Sequence, residues 1–173
     1  MPENKAKGDL FHHLLAYVNK KWGKEGLDKL GKVQDDFNAA DWYPFSELCG
    51  LLTDINAKMG NGDGQAVNRM GTDMIKNDFR WRTIFNGRNP AYVFITTKRQ
   101  DTQYIGGQYS ARVVADKNIR INMKGWECGE VWYEFVKGRL QGVLELTGHE
   151  GAVNMTRSGT GDEPEYVYDI TWK

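Results

Sequence analysis

The stretch that most constrains the fold lies between Cys128 and Gly148. Val131, Trp132, Phe135, Val136, Arg139, Leu140, Val143 and Leu144 recur there at intervals of three and four, the period of one helix face. Glu127 stands near its start and Gly148 supplies its stop. Strand patterns flank it. Tyr109, Ala111 and Val113 alternate with Ser110, Arg112 and Val114, Asp116-Lys117-Asn118 is turn-like, and Ile119 and Ile121 read as the hairpin partner. After the helix come two more strands, Ala152 to Thr156 and Tyr166 to Trp172, with a flexible turn at Ser158-Gly159-Thr160-Gly161-Asp162 between them. The order β-β-α-β-β forces the apolar helix stripe against a common face of hairpin strands, hence an antiparallel sheet.

The first half is helical. Leu10, Leu14, Tyr17 and Val18 form a stripe widened by Phe11 and Leu15, with Asp9 as N-cap and Gly23 as stop. A short helix from Lys24 to Gly31 and a polar loop from Val33 to Asp41 follow. Pro44 suits the first turn of a helix that carries Leu48, Leu51, Leu52 and Ile55 and ends near Gly60. Asn61-Gly62-Asp63-Gly64 is a turn, without the ligand ladder of a calcium loop. Val67, Met70, Met74 and Ile75 mark another helix, and Phe79, Trp81, Ile84 and Phe85 a short one. Residues 91–104 fit strand or helix, and helix is preferred. The fold class is therefore α+β: a helical N-terminal half followed by β-β-α-β-β, with the antiparallel sheet packed on helices. A chain of 173 residues makes one domain, here 9–173, behind a polar, flexible N-terminus at 1–8.

Composition narrows the function classes. No apolar run approaches the roughly 20 residues of a membrane span, and the polar start is unlike a secretory leader, so a cytoplasmic protein is expected. Two cysteines, Cys49 and Cys128, exclude a disulfide framework or cysteine-rich zinc site. Far apart and on or beside helices, they read as small buried hydrophobes rather than a redox pair. The 23 basic and 23 acidic residues argue against a nucleic-acid binder. Charge is uneven, however: Gln65 to Trp126 holds eleven basic residues and four acidic ones, while Glu145 to Lys173 is acidic. Either a basic face meets an anionic ligand, or the two regions face each other. No nucleophile elbow, phosphate loop, dinucleotide fingerprint or metal-binding helix motif is present. The adjacent acids Asp35-Asp36 and Asp162-Glu163 are not facing carboxylates and read as solvated.

The run Cys128, Gly138-Arg139-Leu140-Gln141-Gly142-Val143-Leu144-Glu145-Leu146-Thr147-Gly148 and the closing Asp169-Ile170-Thr171-Trp172 resemble the C-terminal signature of one superfamily. It joins haem nitric-oxide sensors, 4-vinyl-reductase-like ligand-binding domains and vesicle-tethering subunits of the Bet3 type. Leu14-Leu15-Ala16-Tyr17-Val18, Trp22-Gly23-Lys24-Glu25-Gly26-Leu27 and Trp42-Tyr43-Pro44-Phe45 resemble a bacterial branch of it. The resemblance covers Gly8 to Trp172 and implies a haem-nitric-oxide-sensor-like fold over a single ligand-binding-like domain. It also gives Gly138 and Gly142 a role. Four apart on one helix face, they let another backbone approach, either the sheet or a dimer mate.

The chain departs from the haem-binding pattern. The sensors use an axial histidine and a Tyr-x-Ser-x-Arg grip on the haem, whereas here the only histidines are His12, His13 and His149. Tyr109-Ser110-Ala111-Arg112 is one residue short, which puts Tyr109 and Arg112 on opposite faces of a strand. His12 and His13, about 100° apart on a helix, cannot easily share a metal. The final hairpin, where vinyl-reductase-like relatives carry cysteines, has Ser158 and Glu165. No haem, metal or other cofactor is expected. The expected function is a non-enzymatic small-ligand-binding or sensory domain of bacterial signalling. The alternative is a protein-interaction or dimerisation module, with a homodimer or a signalling protein as partner. The expected ligand is anionic or carries a flat ring and meets Arg80, Trp81, Arg82, Tyr109 and Arg112, since guanidinium groups bind anions and stack on rings.

Overall fold

The computed structural model describes residues 3–97, 103–159 and 164–173. A short strand β1 (Lys5–Lys7) leads into the long helix α1 (Gly8–Leu30), followed by a single 3-10 turn at Gln34–Asp36. Then come β2 (Trp42–Pro44), α2 (Phe45–Met59), α3 (Gln65–Asn77), α4 (Phe79–Phe85) and α5 (Pro90–Thr97). The second half runs β3 (Tyr104–Ile105), β4 (Gln108–Ala115), β5 (Asn118–Lys124), α6 (Gly129–Leu146), β6 (Gly151–Ser158) and β7 (Glu165–Trp172). The α+β order expected from the sequence is present. Gly23 breaks α1 at φ +66°, which explains why its two halves read as separate helices. Residues 98–102 of the ambiguous segment and Thr160 to Asp162 of the expected turn lie outside the described residues.

The main sheet is antiparallel, in the order β4-β5-β7-β6. Its pattern has a strict period of two. Ile119, Ile121 and Met123 of β5 and Tyr166, Tyr168 and Ile170 of β7 are buried on one face. The intervening residues pair on the other: Arg120 donates to Asp169 at 2.8 Å and Asn122 to Glu165 at 2.8 Å. With Lys76 paired to Glu145, these contacts bring part of the basic segment against the acidic C-terminal region.

A second, three-stranded sheet in the order β2-β1-β3 has no counterpart in the sequence reading. Residues 1–8, read as a flexible terminus, contain β1, whose Ala6 is fully buried between Tyr43 and Tyr104. Three residues are too few for an alternation pattern to register.

Helix α6 lies between the main sheet and α3. On the sheet side Tyr168 donates to the Tyr133 carbonyl at 3.0 Å, and the Tyr133 and Tyr166 rings stack 3.6 Å apart. On the other side Gly138 and Gly142 face α3. A Cβ on Gly138 would run into the Asn68 carbonyl, one on Gly142 into that of Thr72, and one on Gly71 of α3 into the Phe135 carbonyl. Thr72 Oγ1 donates to the Gly138 carbonyl at 3.0 Å across the contact. The glycine face is thus filled within the chain by a helix, neither by the sheet nor by a dimer mate.

Cys49 of α2 and Cys128, the residue before α6, are joined by a disulfide, with Cα atoms 5.2 Å apart. This corrects the reading of two separate buried thiols. Seventy-nine residues separate them in sequence, but α2 packs beside the start of α6, where Phe45 meets Trp126 and Trp132 at 4.9 Å each.

Two outcomes follow. Gly138→Ala should lower stability by about 1–3 kcal/mol through overpacking. Gly50→Ala, in the interior of α2 with nothing near its absent Cβ, should raise it by about 0.5–1 kcal/mol through helix propensity. Urea denaturation of both variants checks the pair, and equal effects would refute the close-contact account. Cys128→Ser should cost about 2–5 kcal/mol in oxidising buffer, the usual worth of a bridge closing a long loop. A parent protein no more stable than that variant would refute the bridge.

Candidate functional site

A cavity of about 150 Å³ lies where α3, α4 and α6 meet the strands. Ile75 of α3, Trp81 and Phe85 of α4, and Val136, Leu140 and Val143 of α6 form its helical walls. Tyr104 of β3, Tyr109 of β4 and Met123 of β5 close the strand side, with Gly106, Gly107 and Trp126 at one end. Met123 and Tyr109 are register partners on adjacent strands, which is why they share a wall. The rings order one another: Trp81 stacks on Phe85 at 5.0 Å, and Trp126 meets Tyr104 edge-on at 5.4 Å.

Few polar groups face this space. Arg139 of α6 is only 8% exposed. Its guanidinium lies 5.9 Å from the Tyr104 ring centre and 5.8 Å from that of Phe135, and donates to Gln103 at 3.4 Å. Trp126 is 6% exposed, and its indole Nε1 has no hydrogen-bond partner among the described residues. The Trp126 backbone is well held, since its carbonyl accepts from Cys128 N–H at 2.9 Å and from the Tyr133 hydroxyl at 3.3 Å. Burial pushes the Tyr133 phenol up to about 12 and that of Tyr168 well above its ordinary value, so both stay neutral.

Of the residues named from sequence, Trp81 and Tyr109 line the cavity. Arg80, Arg82 and Arg112 do not: all three are exposed, and Arg80 is paired with Asp78 at 2.8 Å. Arg112 points away from Tyr109, as the short motif spacing requires. The arginine at the cavity is Arg139, which sequence reasoning placed in the helix stripe without assigning it a ligand. Its signal was there: one cation among seven apolar residues on a buried helix face.

The histidines lie elsewhere. His12 contacts the Phe37 carbonyl, His13 lies beside Asp9 and Gln103, and His149 contacts Thr147. Among the described residues no group of three His, Cys, Asp or Glu side chains is placed to hold a metal ion, and no helix is long and apolar enough to cross a membrane.

No family model matches the sequence, and no curated protein matches it. Solved structures do. The fold is similar to that of H-NOX domains along nearly its whole length. A Cs H-NOX variant carrying the unnatural residue 4-cyano-L-phenylalanine shares 15% identity at a TM-score of 0.72, covering 96% of both chains. A point mutant of T. tengcongensis H-NOX shares 16% at a TM-score of 0.72, covering 96% of this chain and 97% of that one. An oxygen-binding H-NOX domain related to soluble guanylate cyclases shares 16% at 0.71, covering 96% and 95%. At such identities the likeness is one of fold, and it agrees with the haem-nitric-oxide-sensor-like architecture expected from the sequence.

Two further similar structures, one from the H-NOX family, are described by haem or porphyrin distortion. The cavity here does not fit that group. Drug-sized ligands need roughly 300–1,000 Å³, a haem is at least as large, and this space is about 150 Å³. Among the described residues neither histidine nor cysteine lines it, the ligands that most often hold haem iron.

Asp78 positions the α4 wall. It accepts from Arg80 N–H at 2.8 Å as the N-cap of the helix that carries Trp81 and Phe85. Burial works against its charge, yet hydrogen bonds from the Arg80 side chain and backbone hold its carboxyl below the usual range. A depressed carboxyl contributes stability above its unfolded pKa and loses it as pH falls through the folded value. Asp78→Ala should therefore cost about 0.5–2 kcal/mol at neutral pH, with the gap to the parent closing below about pH 4. Thermal melts across that range check it, and a gap independent of pH would refute the ionised cap.

Proposed function

We propose that this chain is a haem-free sensory domain of the H-NOX fold, which binds a small, mostly apolar molecule between its helices and its sheet. The observation that supports this most is the 150 Å³ cavity, walled mainly by aromatic and aliphatic side chains. An apolar cavity of about that size holds benzene or xenon. Its walls come from three helices and three strands. An occupant therefore touches most of the fold at once, the arrangement by which binding can bias a conformation. Among the described residues no acid–base pair or nucleophile lines the space, so the reading is of a binder rather than an enzyme. A bacterial signalling protein is the partner that such a domain would address.

A second reading, docking of a protein partner, has one observation in its favour. Helices α4 and α5 leave large apolar side chains in solvent, with Phe79 at 79% and Tyr92 at 59% exposure.

Saturating benzene should raise the melting temperature of the protein and leave Val143→Phe, in which the space is filled, unmoved. Occupancy at a hundred times the dissociation constant is worth about 2.7 kcal/mol. An unshifted parent melt would overturn the binding reading and leave partner docking, which sedimentation of Phe79→Ser against the parent would then test.

A further inference from the structure

We infer that the outward side of α4, continued into α5, docks on an anionic lipid bilayer, with the domain lying on that surface rather than crossing it. This is independent of what the cavity holds. Phe79 and Ile84 of α4 are 79% and 41% exposed, and Tyr92 and Ile95 of α5 are 59% and 47% exposed. They are four of the nine large apolar side chains left in solvent among the described residues. The helix period explains how one element faces two ways. Trp81 and Phe85, four apart, turn into the cavity wall. Phe79 and Thr83, also four apart, take the opposite side of α4, with Arg80 and Ile84 on one flank and Arg82 on the other. In α5, Val93 and Phe94 are buried, which leaves Tyr92 and Ile95 outward.

Charge decides what covers this face. From Phe79 to Thr97 the chain has three arginines, Arg80, Arg82 and Arg88, and no acidic residue. All three are exposed. Arg80 is paired with Asp78, while Arg82 and Arg88 have no ion-pair partner among the described residues. The whole chain is neutral, with 23 basic and 23 acidic residues, so attraction to an anionic surface has to come from a local face. Guanidinium groups hold phosphate by paired hydrogen bonds. Apolar side chains beside them enter the acyl boundary while the cations stay at the level of the headgroups. An acidic protein would need a fitted pocket for the projecting Phe79, whereas a bilayer accepts it without one. The contact is peripheral, since no helix among the described residues is long and apolar enough to cross a membrane.

The test sediments the full chain with sucrose-loaded vesicles, either of phosphatidylcholine alone or of phosphatidylcholine and phosphatidylglycerol in equal parts. Binding should be confined to the mixed vesicles and should weaken as salt is raised. Arg82→Ala and Arg88→Ala should each weaken it about five-fold, the usual worth of one cation at an anionic surface. Phe79→Ser should weaken it about ten-fold or more through lost apolar burial, and Phe79→Trp should retain it. Arg157→Ala removes an exposed arginine from β6, at the opposite edge of the main sheet, and should leave binding unchanged. All the substituted residues are exposed, so an unshifted melt shows that each variant is folded. Equal binding to both vesicles, equal losses in Arg157→Ala and Arg88→Ala, or a Phe79→Ser variant that binds like the parent overturns the inference. So does a parent that stays in solution with both vesicles, and self-association lost in Phe79→Ser would then give the face to a second copy of this chain. None of these outcomes alters the benzene melt, so this inference and the cavity reading fail separately.

Discussion

The contact between α3 and α6 is made backbone to backbone, and the rest of the molecule is arranged around it. Gly71 on one helix and Gly138 and Gly142 on the other let the backbone of each helix approach that of its partner. Glycine in a helix interior costs about 1 kcal/mol relative to alanine, so three of them at one crossing are offset only by what the close approach brings. It brings Thr72 within hydrogen-bonding reach of the Gly138 carbonyl and Asn68 within reach of Glu134. It also fixes α6 at a depth where its sheet-facing side buries Tyr133 against Tyr166 and Tyr168.

On the adjoining face of the same turns of α6 the side chains are no longer small. Ile75 on α3 and Val143, Leu140 and Arg139 on α6 stand where the pair meets α4 and the strands, and there the interior stays open. The tight crossing on one face of α6 and the aromatics of α4 and the strands on the next leave a space that Val136, Leu140 and Val143 do not fill. The Cys49–Cys128 bridge holds the start of α6. It ties α2 to the residue that caps α6, two positions after Trp126. A compartment that keeps thiols reduced would remove that tie, so the cytoplasmic location read from the sequence and the bridge in the structure make opposite demands on redox conditions.

The helical first half, the β-β-α-β-β order and the glycine face were legible because each has a periodic or spacing signal several residues long. Three features were not. Strands β1, β2 and β3 are two or three residues each and pair across long gaps in the chain, Ala6 with Tyr43 and with Tyr104, so neither alternation nor turn chemistry announces them. The disulfide joins residues 79 apart, and pairing at that range is a product of tertiary packing. The cavity arginine was misplaced for a different reason. Arg80, Arg82 and Arg112 stand beside Trp81 and Tyr109 in sequence, but neighbours on a helix or strand point in different directions. Trp81 and Tyr109 face the cavity while the arginines beside them face solvent. Sequence adjacency finds the element, and the period decides which of its residues share a site.

What the fold can bind is decided by the size and chemistry of those inward residues rather than by the architecture, which many functions can share. Here the interior positions are taken by Trp126, Trp132, Tyr104 and Phe135, whose rings meet at 5.1–5.8 Å. Rings in contact at that spacing fill the interior, and the space beside them, about 150 Å³, is too small for a macrocycle. The polar atoms left at the edge are an indole N–H without a partner among the described residues and a guanidinium held over aromatic faces. A desolvated N–H without a partner costs about 1–3 kcal/mol. The Trp126 ring packs on Phe45, Tyr104 and Trp132, and the apolar area buried in those contacts is what offsets its one desolvated donor.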